Sequence, residues 1–440
     1  MISNYEDALA FIHGRTQFKK SDHLDRMRLF MAKLGNPERQ LSVIHVAGTN
    51  GKGSTVAFLR DLLMATGKTV GTFTSPFLMR FNERISVDGM PVPDQDLVAL
   101  VNQIKPTVDE LDATLEEGGP TEFEIITAMM FTYFKDRVDV AVVEVGIGGI
   151  LDSTNVLTPE VSVITTIGYD HMKLLGNTLP EIAGQKAGII KRGKPVVVGQ
   201  LPEEALSVIE QKAIAEKSPI YRMDHEIMVQ PLPDNAWEEK FKFRFDGFTF
   251  DAVKIQLLGQ YQIANASCAL AAFMLYQAAH HQPWDRHDTL TALAKTVWAG
   301  RFEPVNQDPL IVLDGAHNEP AVTEVTQLLK QKFSDRECYI VLAVLADKQY
   351  EKMLSLFQTV PHHHIILTTF QGPGTRHAVD PETLKTKHEN DAHIDVVDNW
   401  QLAIGTALKT MSSDDLLLIT GSLYFISDVR HFFLDNDDEA

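Results

Sequence analysis

Short β-branched runs alternate with longer amphipathic segments along most of this chain, and that alternation restricts its fold more than any other feature. The rhythm reads as βαβ units around a mostly parallel sheet, an α/β class. The clearest early runs are Leu41–Ala47, Thr69–Thr74, Val138–Glu144, Val161–Ile167 and Pro195–Gly199. Segments between them, such as Lys52–Ala65, Thr121–Phe134 and Leu179–Gly188, read as crossover helices. Between Tyr221 and Gln256 the pattern changes to short alternating runs (Phe241-Lys-Phe-Arg-Phe245, then Phe248-Thr-Phe250), which predicts a small antiparallel patch. Helices Gln262–Ala279 and His287–Val297 are expected next. A second α/β series starts after Trp298, with strands Leu310–Leu313, Tyr339–Val344, His364–Thr368, Ile394–Val397 and Leu416–Thr420. At 440 residues the chain exceeds what one hydrophobic core sustains, so two domains are expected, 1–298 and 299–440. The end, Asp435–Ala440, reads as a frayed acidic tail.

The segment His45-Val-Ala-Gly-Thr-Asn-Gly-Lys-Gly-Ser-Thr55 joins a strong strand to a strong helix. Glycines at 48, 51 and 53 let backbone N–H groups turn toward phosphate oxygens, the helix N-terminus adds positive potential, and Lys52 supplies a mobile charge. It departs from the usual phosphate-loop pattern: Gly53 stands where Ser or Thr normally follows the lysine, and Ser54 and Thr55 are the nearest hydroxyls.

In a parallel sheet, ligands bind beyond the carboxyl ends of the strands. Ser75 follows one strand, Glu144 ends another and leads into Gly146-Ile-Gly-Gly149, and Asp170-His171 follows a third. A hydroxyl, a carboxylate and an imidazole beside a triphosphate loop can complete a magnesium shell, although imidazole is the less usual donor. Each also has a plainer reading, Ser75 as a cap, Glu144 as a salt-bridge partner and His171 as a loop residue.

At this point the chain resembles the folylpolyglutamate and dihydrofolate synthases, relatives of the Mur ligases. The likeness is carried by Gly48–Ser54, by Thr74-Ser-Pro-Phe-Leu78 with Asn82-Glu-Arg-Ile85, and by Asp170–Gly176 with Ile182–Gly188. It continues through Gln262-Ile-Ala-Asn265, Gly300-Arg301 and Asp314-Gly-Ala-His-Asn318. Departures are Phe77, where many members have His, and Ile150 and Ser153, where many have Arg and Ala.

The resemblance implies a P-loop NTPase-like N-terminal domain, a C-terminal Rossmann-like α/β domain, and an ATP-dependent ligase that adds L-glutamate to a folate or to dihydropteroate. It implies that Asn50, Gly51, Lys52, Gly53, Ser54 and Thr55 hold ATP phosphates, and that Asn265, Arg301 and Asp314 contact the nucleotide. Ser75, Glu144 and His171 would bind magnesium, and Lys186, as a carbamate, a second ion; on its own Lys186 reads as an exposed helical lysine. His317 would lie in the cleft where the domains close on phosphate or glutamate. Thr121, Phe123, Asp152 and Ser153 would meet the folate, with a further contribution near Asp25–Met27, while Arg84 and Ser422 would meet the glutamate carboxylates. Phe123 reads equally as a core residue.

Composition supports the same picture. The net charge of −19, from 59 acidic and 40 basic residues, argues against a broad nucleic-acid surface. Cys268 and Cys338 are the only cysteines and lack ligand-like spacing. His362-His-His364 reads as a loop edge rather than a metal site. The acidic start lacks a signal-like apolar run, and Cys268–Tyr276 is too short to span a bilayer, so a cytoplasmic monomer without membrane partners is expected. A Mur-type ligase would share the loop and the chemistry, but Gly53 and Ser75–Arg84 fit the folate branch better. A P-loop nucleotide switch would share only the loop.

Overall fold

The computed structural model describes residues 1–16, 23–233, 237–372, 374, 376–386 and 392–434, and the expected acidic tail lies outside the described residues. The chain divides into two compact units: Met1–Gln230, Phe241–Lys254 and Ala264–Thr296 form one, and Pro231–Lys240, Ile255–Ile263 and Val297–Ala440 the other.

The first unit is built on strands β1 (Val43–Ala47), β2 (Val70–Phe73), β3 (Ile85–Val87), β4 (Met90–Pro91), β5 (Val140–Glu144), β6 (Val161–Ile164), β7 (Val196–Val198) and β8 (Ile220–Arg222). They form one sheet in the order β4-β3-β2-β5-β1-β6-β7-β8. The pairings among β2, β5, β1, β6, β7 and β8 are parallel, and the short β3 and β4 add an antiparallel edge. β1, β2, β5 and β6 are mostly apolar and buried throughout, as expected of central strands in a parallel sheet covered on both faces. Each valine so buried contributes roughly 1.5–3 kcal/mol.

The expected early strands are all present, trimmed by one to three residues at either end. Just beyond the end of β6, the Thr165 and Thr166 hydroxyls bond the loop after β1. Helix Glu122–Phe134 starts one residue later than expected because Thr121 is its cap. The registers put Val46 of β1 beside Glu144 of β5 and Ala47 beside Ile164 of β6. The carboxyl ends of β2, β5, β1 and β6 therefore form one rim.

The antiparallel patch is a three-stranded sheet of β9 (Met228–Leu232), β10 (Glu239–Phe245) and β11 (Phe248–Ile255), in the order β11-β10-β9. Asp246 and Gly247 link β10 to β11 with φ of 47° and 79°. Positive φ at both central residues is the hairpin turn that an Asp-Gly pair favours, and so short a link permits only antiparallel pairing.

The second unit has strands β12 (Glu303–Gln307), β13 (Leu310–Asp314), β14 (Cys338–Leu342), β15 (His363–Thr369), β16 (Ile394–Asn399) and β17 (Leu416–Thr420), in the order β12-β13-β17-β14-β15-β16. All pairings are parallel except that of β12, an edge strand not foreseen from sequence. Its core draws on Val312, Leu329, Ile340, Met353, Leu367 and Leu418. Both cysteines are buried free thiols. No helix among the described residues is long and apolar enough to cross a membrane.

Candidate active site

The chain leaves β1 at Ala47 and turns through residues 48–51 into helix Lys52–Met64. Gly51 has φ 84°, and a Cβ there would fall on Asn265 Oδ1 of helix Gln260–Ala279, so only glycine fits. The turn is clamped from β6. Asn50 O accepts from Thr165 Oγ1 (2.6 Å) and Thr166 Oγ1 (3.0 Å), and Thr49 N donates to Thr166 O (2.8 Å). Sequence reasoning missed these two threonines, because a Thr-Thr pair at a strand end carries no distinctive signal.

Gly51 precedes the helix without a side-chain cap, which leaves first-turn N–H groups for an anion. Gly53 and Ser54 are buried in this turn, and Thr55 is completely enclosed. Lys52 Nζ donates to Gly48 O (3.0 Å) and Thr49 O (3.1 Å) and lies 3.9 Å from Glu144 Oε1.

Glu144, Ser75 and Arg84 meet on the same rim. Ser75 N donates to Glu144 Oε2 (3.3 Å), and Arg84 Nη1 donates to Ser75 Oγ (2.8 Å) while its guanidinium lies over Phe77 and Phe81. Lys186 ends helix Leu179–Lys186 and is only 3% exposed, which removes the reading of an exposed helical lysine. Burial pulls its pKa down to about 7, repulsion from Lys52 adds to this, and Asp170 and Asp152 oppose it. Lys52, Lys186 and the two aspartates thus share one electrostatic neighbourhood. His171 differs: its side chain is 42% exposed, its φ is 49°, and its ring stands 3.9 Å from Asp170. The structure joins Ser75 and Glu144, and His171 stands half-exposed beside Asp170. Among the described residues, no three His, Cys, Asp or Glu side chains converge as a metal-binding group.

Along the flank of this rim, polar groups are tied into the fold. Thr121 caps its helix in a reciprocal box with Glu124. Arg26 Nε, absent from the sequence reasoning as an individual contact, donates to both Glu124 oxygens (3.1 and 2.8 Å) in a buried pair. Phe123 is half-buried beside Phe73 and over Gly146, where a Cβ would strike its ring. Asp152 is buried and accepts from Ile147 N (2.9 Å), Thr154 N (3.0 Å) and Thr154 Oγ1. Burial raises its pKa against these bonds. Ser153 opens the short turn Ser153–Val156.

In the second unit, β13 and β17 are parallel neighbours with Asp314 opposite Thr420, so Asp314, His317 and Ser422 gather at one carboxyl edge. Asp314 accepts from Phe302 N (2.9 Å) and Ala316 N (2.8 Å). Burial raises its pKa although Arg301 pulls it down. A Cβ on Gly315 would sit 2.7 Å from Arg301 Nη1, which brings that guanidinium to the same edge. His317 Nδ1 contacts Gly315 O (2.9 Å); a carbonyl only accepts, so Nδ1 carries the proton and a neutral ring keeps its lone pair on Nε2. Ser422 is buried, and its Oγ accepts from Tyr424 N (3.3 Å).

Residues 46–273 match the Mur ligase middle domain, and residues 300–423 match the Mur ligase glutamate ligase domain. The chain is 41% identical over 438 residues to a dihydrofolate synthase/folylpolyglutamate synthase of Bacillus subtilis, covering 98% of this chain and 99% of that one. A solved FPGS–AMPPCP–folate complex is similar with a TM-score of 0.87 and 37% identity, covering 98% of this chain and 100% of that one. Mycobacterium tuberculosis folylpolyglutamate synthase in complex with ADP is similar with a TM-score of 0.90 and 30% identity, covering 98% of each chain. The chain therefore belongs to the folylpolyglutamate synthase/dihydrofolate synthase family of the Mur ligase superfamily.

Proposed function

We propose that this chain is an ATP-dependent ligase that adds L-glutamate to a folate and also to dihydropteroate, with an ATP-binding domain at 1–298 and a glutamate ligase domain at 299–440. The observation that carries this reading is Lys52, Ser75 and Glu144 gathered beside the glycine loop. The folate's terminal carboxylate attacks the γ-phosphorus of ATP. A carboxyl O–P bond forms, the bond to ADP breaks, and ADP leaves with the electron pair. The glutamate amine then attacks the acyl phosphate carbonyl, an amide C–N bond forms, phosphate leaves, and the amine gives up a proton. Phosphoryl transfer of this kind needs positioning and charge neutralisation more than covalent help.

Each residue has a part in that scheme. First-turn N–H groups from Gly51 to Ser54 cradle phosphate oxygens. Lys52 exchanges its two carbonyl contacts for the γ-phosphate and balances charge as ADP departs. Oxygen donors suit a hard cation, and Glu144 with Ser75 supplies a carboxylate and a hydroxyl next to the loop. These two would hold magnesium, with His171 as an outer donor, and the ion would neutralise phosphate charge. The depressed pKa of Lys186 leaves much of it as free amine near neutrality, the form that takes up CO2 as a carbamate able to hold a second ion. Phe123 offers a ring face to the folate, and Thr121, Asp152 and Ser153 shape the wall around it. Arg84 and Ser422 are assigned to glutamate carboxylates, Asn265, Arg301 and Asp314 to nucleotide, and His317 Nε2 to receive the amine proton.

The test is phosphate release from ATP by the purified chain, with tetrahydrofolate and with dihydropteroate in parallel, each with and without glutamate. Release that requires both acceptor and glutamate is expected. Release that ignores both would leave a nucleotide switch as the better reading.

A further inference from the structure

His45 is completely buried in β1, three residues before the phosphate loop. Its Nε2 lies 2.8 Å from Thr154 Oγ1. Thr154 gives its single hydroxyl proton to Asp152 Oδ1, so the contact with His45 must be donated by the imidazole. That fixes the Nε2–H tautomer and leaves Nδ1 as a bare acceptor. Nδ1 has no hydrogen-bond partner although it is buried. An orphaned buried acceptor is costly, and a core strand position would be filled more comfortably by valine. Burial first, and Lys191 second, hold the ring neutral with a pKa of about 3, so it remains a one-proton donor across the working range.

The far end of this relay explains what the donor gains. Asp152 takes the Ile147 and Thr154 N–H groups, closing the glycine loop 146–152 that leads away from Glu144. That loop is tied in turn to the end of the lysine-bearing helix. Ile150 N donates to Gln185 O (2.9 Å), and a Cβ on Gly149 would crowd the Lys186 backbone.

We propose that His45 is a positioning residue for phosphoryl transfer: through Thr154 and Asp152 it locks the Gly146–Asp152 loop, and with it Glu144 and Lys186, to the strand that feeds the phosphate loop. The assignment rests on the ligase reading and adds to it a buried strand residue, His45, that touches no substrate.

The test uses the full-length chain with three variants: His45→Phe, which removes the donor; His45→Gln, whose amide can replace Nε2–H; and Thr154→Val, which cuts the relay at near-constant volume. Two quantities are read, kcat with KM for ATP, and hydrogen exchange at the Ile147 and Thr154 amides without ligand. His45→Phe and Thr154→Val should lower kcat roughly 10- to 100-fold with KM for ATP little changed, as expected of misplacement rather than lost binding. Exchange at the two amides should rise about tenfold or more while β7 stays protected. His45→Gln should recover most of both, and the His45→Phe/Thr154→Val double variant should be no slower than the slower single one.

A folded His45→Phe enzyme with wild-type kcat and unchanged exchange overturns the proposal, as does a loss of melting temperature with kcat intact. If His45→Phe does not fold, Thr154→Val and His45→Gln decide it alone. A wild-type chain that releases no phosphate would instead sink the ligase reading, and the exchange measurement would still report whether His45 holds the loop.

Discussion

The rim that carries Lys52, Ser75 and Glu144 and the flank that carries Thr121, Glu124 and Asp152 lie in one unit and draw on the same kinds of side chain, yet they use them differently. On the flank the carboxylates are met by short bonds from the fold. Glu124 takes Arg26 Nε at 2.8 Å and Thr121 N at 2.7 Å, and Asp152 takes Ile147 N at 2.9 Å. On the rim two contacts between the polar groups are longer, Glu144 meeting Ser75 N at 3.3 Å and Lys52 at 3.9 Å, and Lys52 bonds carbonyls of its own loop. Loose contacts between charged groups can be exchanged for a ligand, whereas closed ones hold the wall in place. Substitutions at the Arg26, Thr121 and Glu124 end of the flank should therefore cost stability, and those on the rim, or in the His45–Thr154–Asp152 relay that holds it, rate.

The largest effect expected on the flank comes from Arg26→Ala. It strands Glu124, whose side chain is 9% exposed, without its cation. Breaking such a pair costs about 3–5 kcal/mol of stability. Urea denaturation measures it, and a loss below about 1 kcal/mol, the range of exposed pairs, would erase the distinction between flank and rim. Its counterpart on the rim is Lys52→Ala, which should lower kcat about 10²–10³-fold, roughly 3–4 kcal/mol of barrier. The unfolding midpoint should stay where it is or rise, since functional charges are often held at the expense of stability. A Lys52→Ala enzyme that turned over within a few-fold of wild type would remove the lysine from the mechanism.

How far the sequence reveals these two regions depends on how local their causes are. The phosphate loop is contiguous, so strand, glycines, lysine and helix are visible together in residues 43–64. Ser75 and Glu144 become visible once the strands are known to be parallel, because topology alone puts strand ends on one edge. The β10–β11 hairpin is legible for the same local reason, with alternation on either side of Asp246-Gly247. Lys186 could be singled out only by resemblance, since its depressed pKa comes from burial and from Lys52, more than a hundred residues away in the chain. Asp152 followed by a threonine two residues on is equally a local turn and a ligand, and spacing cannot choose between them. Arg26 and Glu124 are invisible as a pair because their partnership is tertiary. β3 and β4 are only three and two residues long, and the edge strand β12 has no buried residue, so they leave little pattern.

Acid provides a sharper probe of the closed network behind the rim. His45 has a folded pKa of about 3 against an unfolded value of 6.5. The unfolded chain takes up a proton as pH falls through 6.5, while the folded chain does so only near 3. Stability from this site is complete above 6.5 and is lost as pH drops from there toward 3. Between pH 7 and pH 5 the loss should be about 2 kcal/mol. Urea midpoints at the two pH values, for wild type and His45→Gln, isolate it: the glutamine cannot take up the proton, so its decline should be smaller by about that amount. Equal declines would mean that the imidazole is reached by solvent.

The smallest expected effect is the most discriminating, because Thr121 belongs to the flank by its bonds and to the folate wall by assignment. Thr121 Oγ1 accepts from Glu124 N at 3.3 Å, a long cap bond, while the reciprocal Glu124 carboxylate still takes Thr121 N at 2.7 Å. Thr121→Ala should therefore cost about 1 kcal/mol or a little less, toward the low side of what losing a cap oxygen costs. Thr121→Ser keeps that oxygen and should restore most of the stability. If the flank serves mainly to hold the wall, KM for folate should track stability through this pair, rising in alanine as stability falls and recovering in serine. A Thr121→Ala chain as stable as wild type but with a raised KM for folate would show the hydroxyl reaching substrate directly, and the flank would then work by the same loose contacts as the rim.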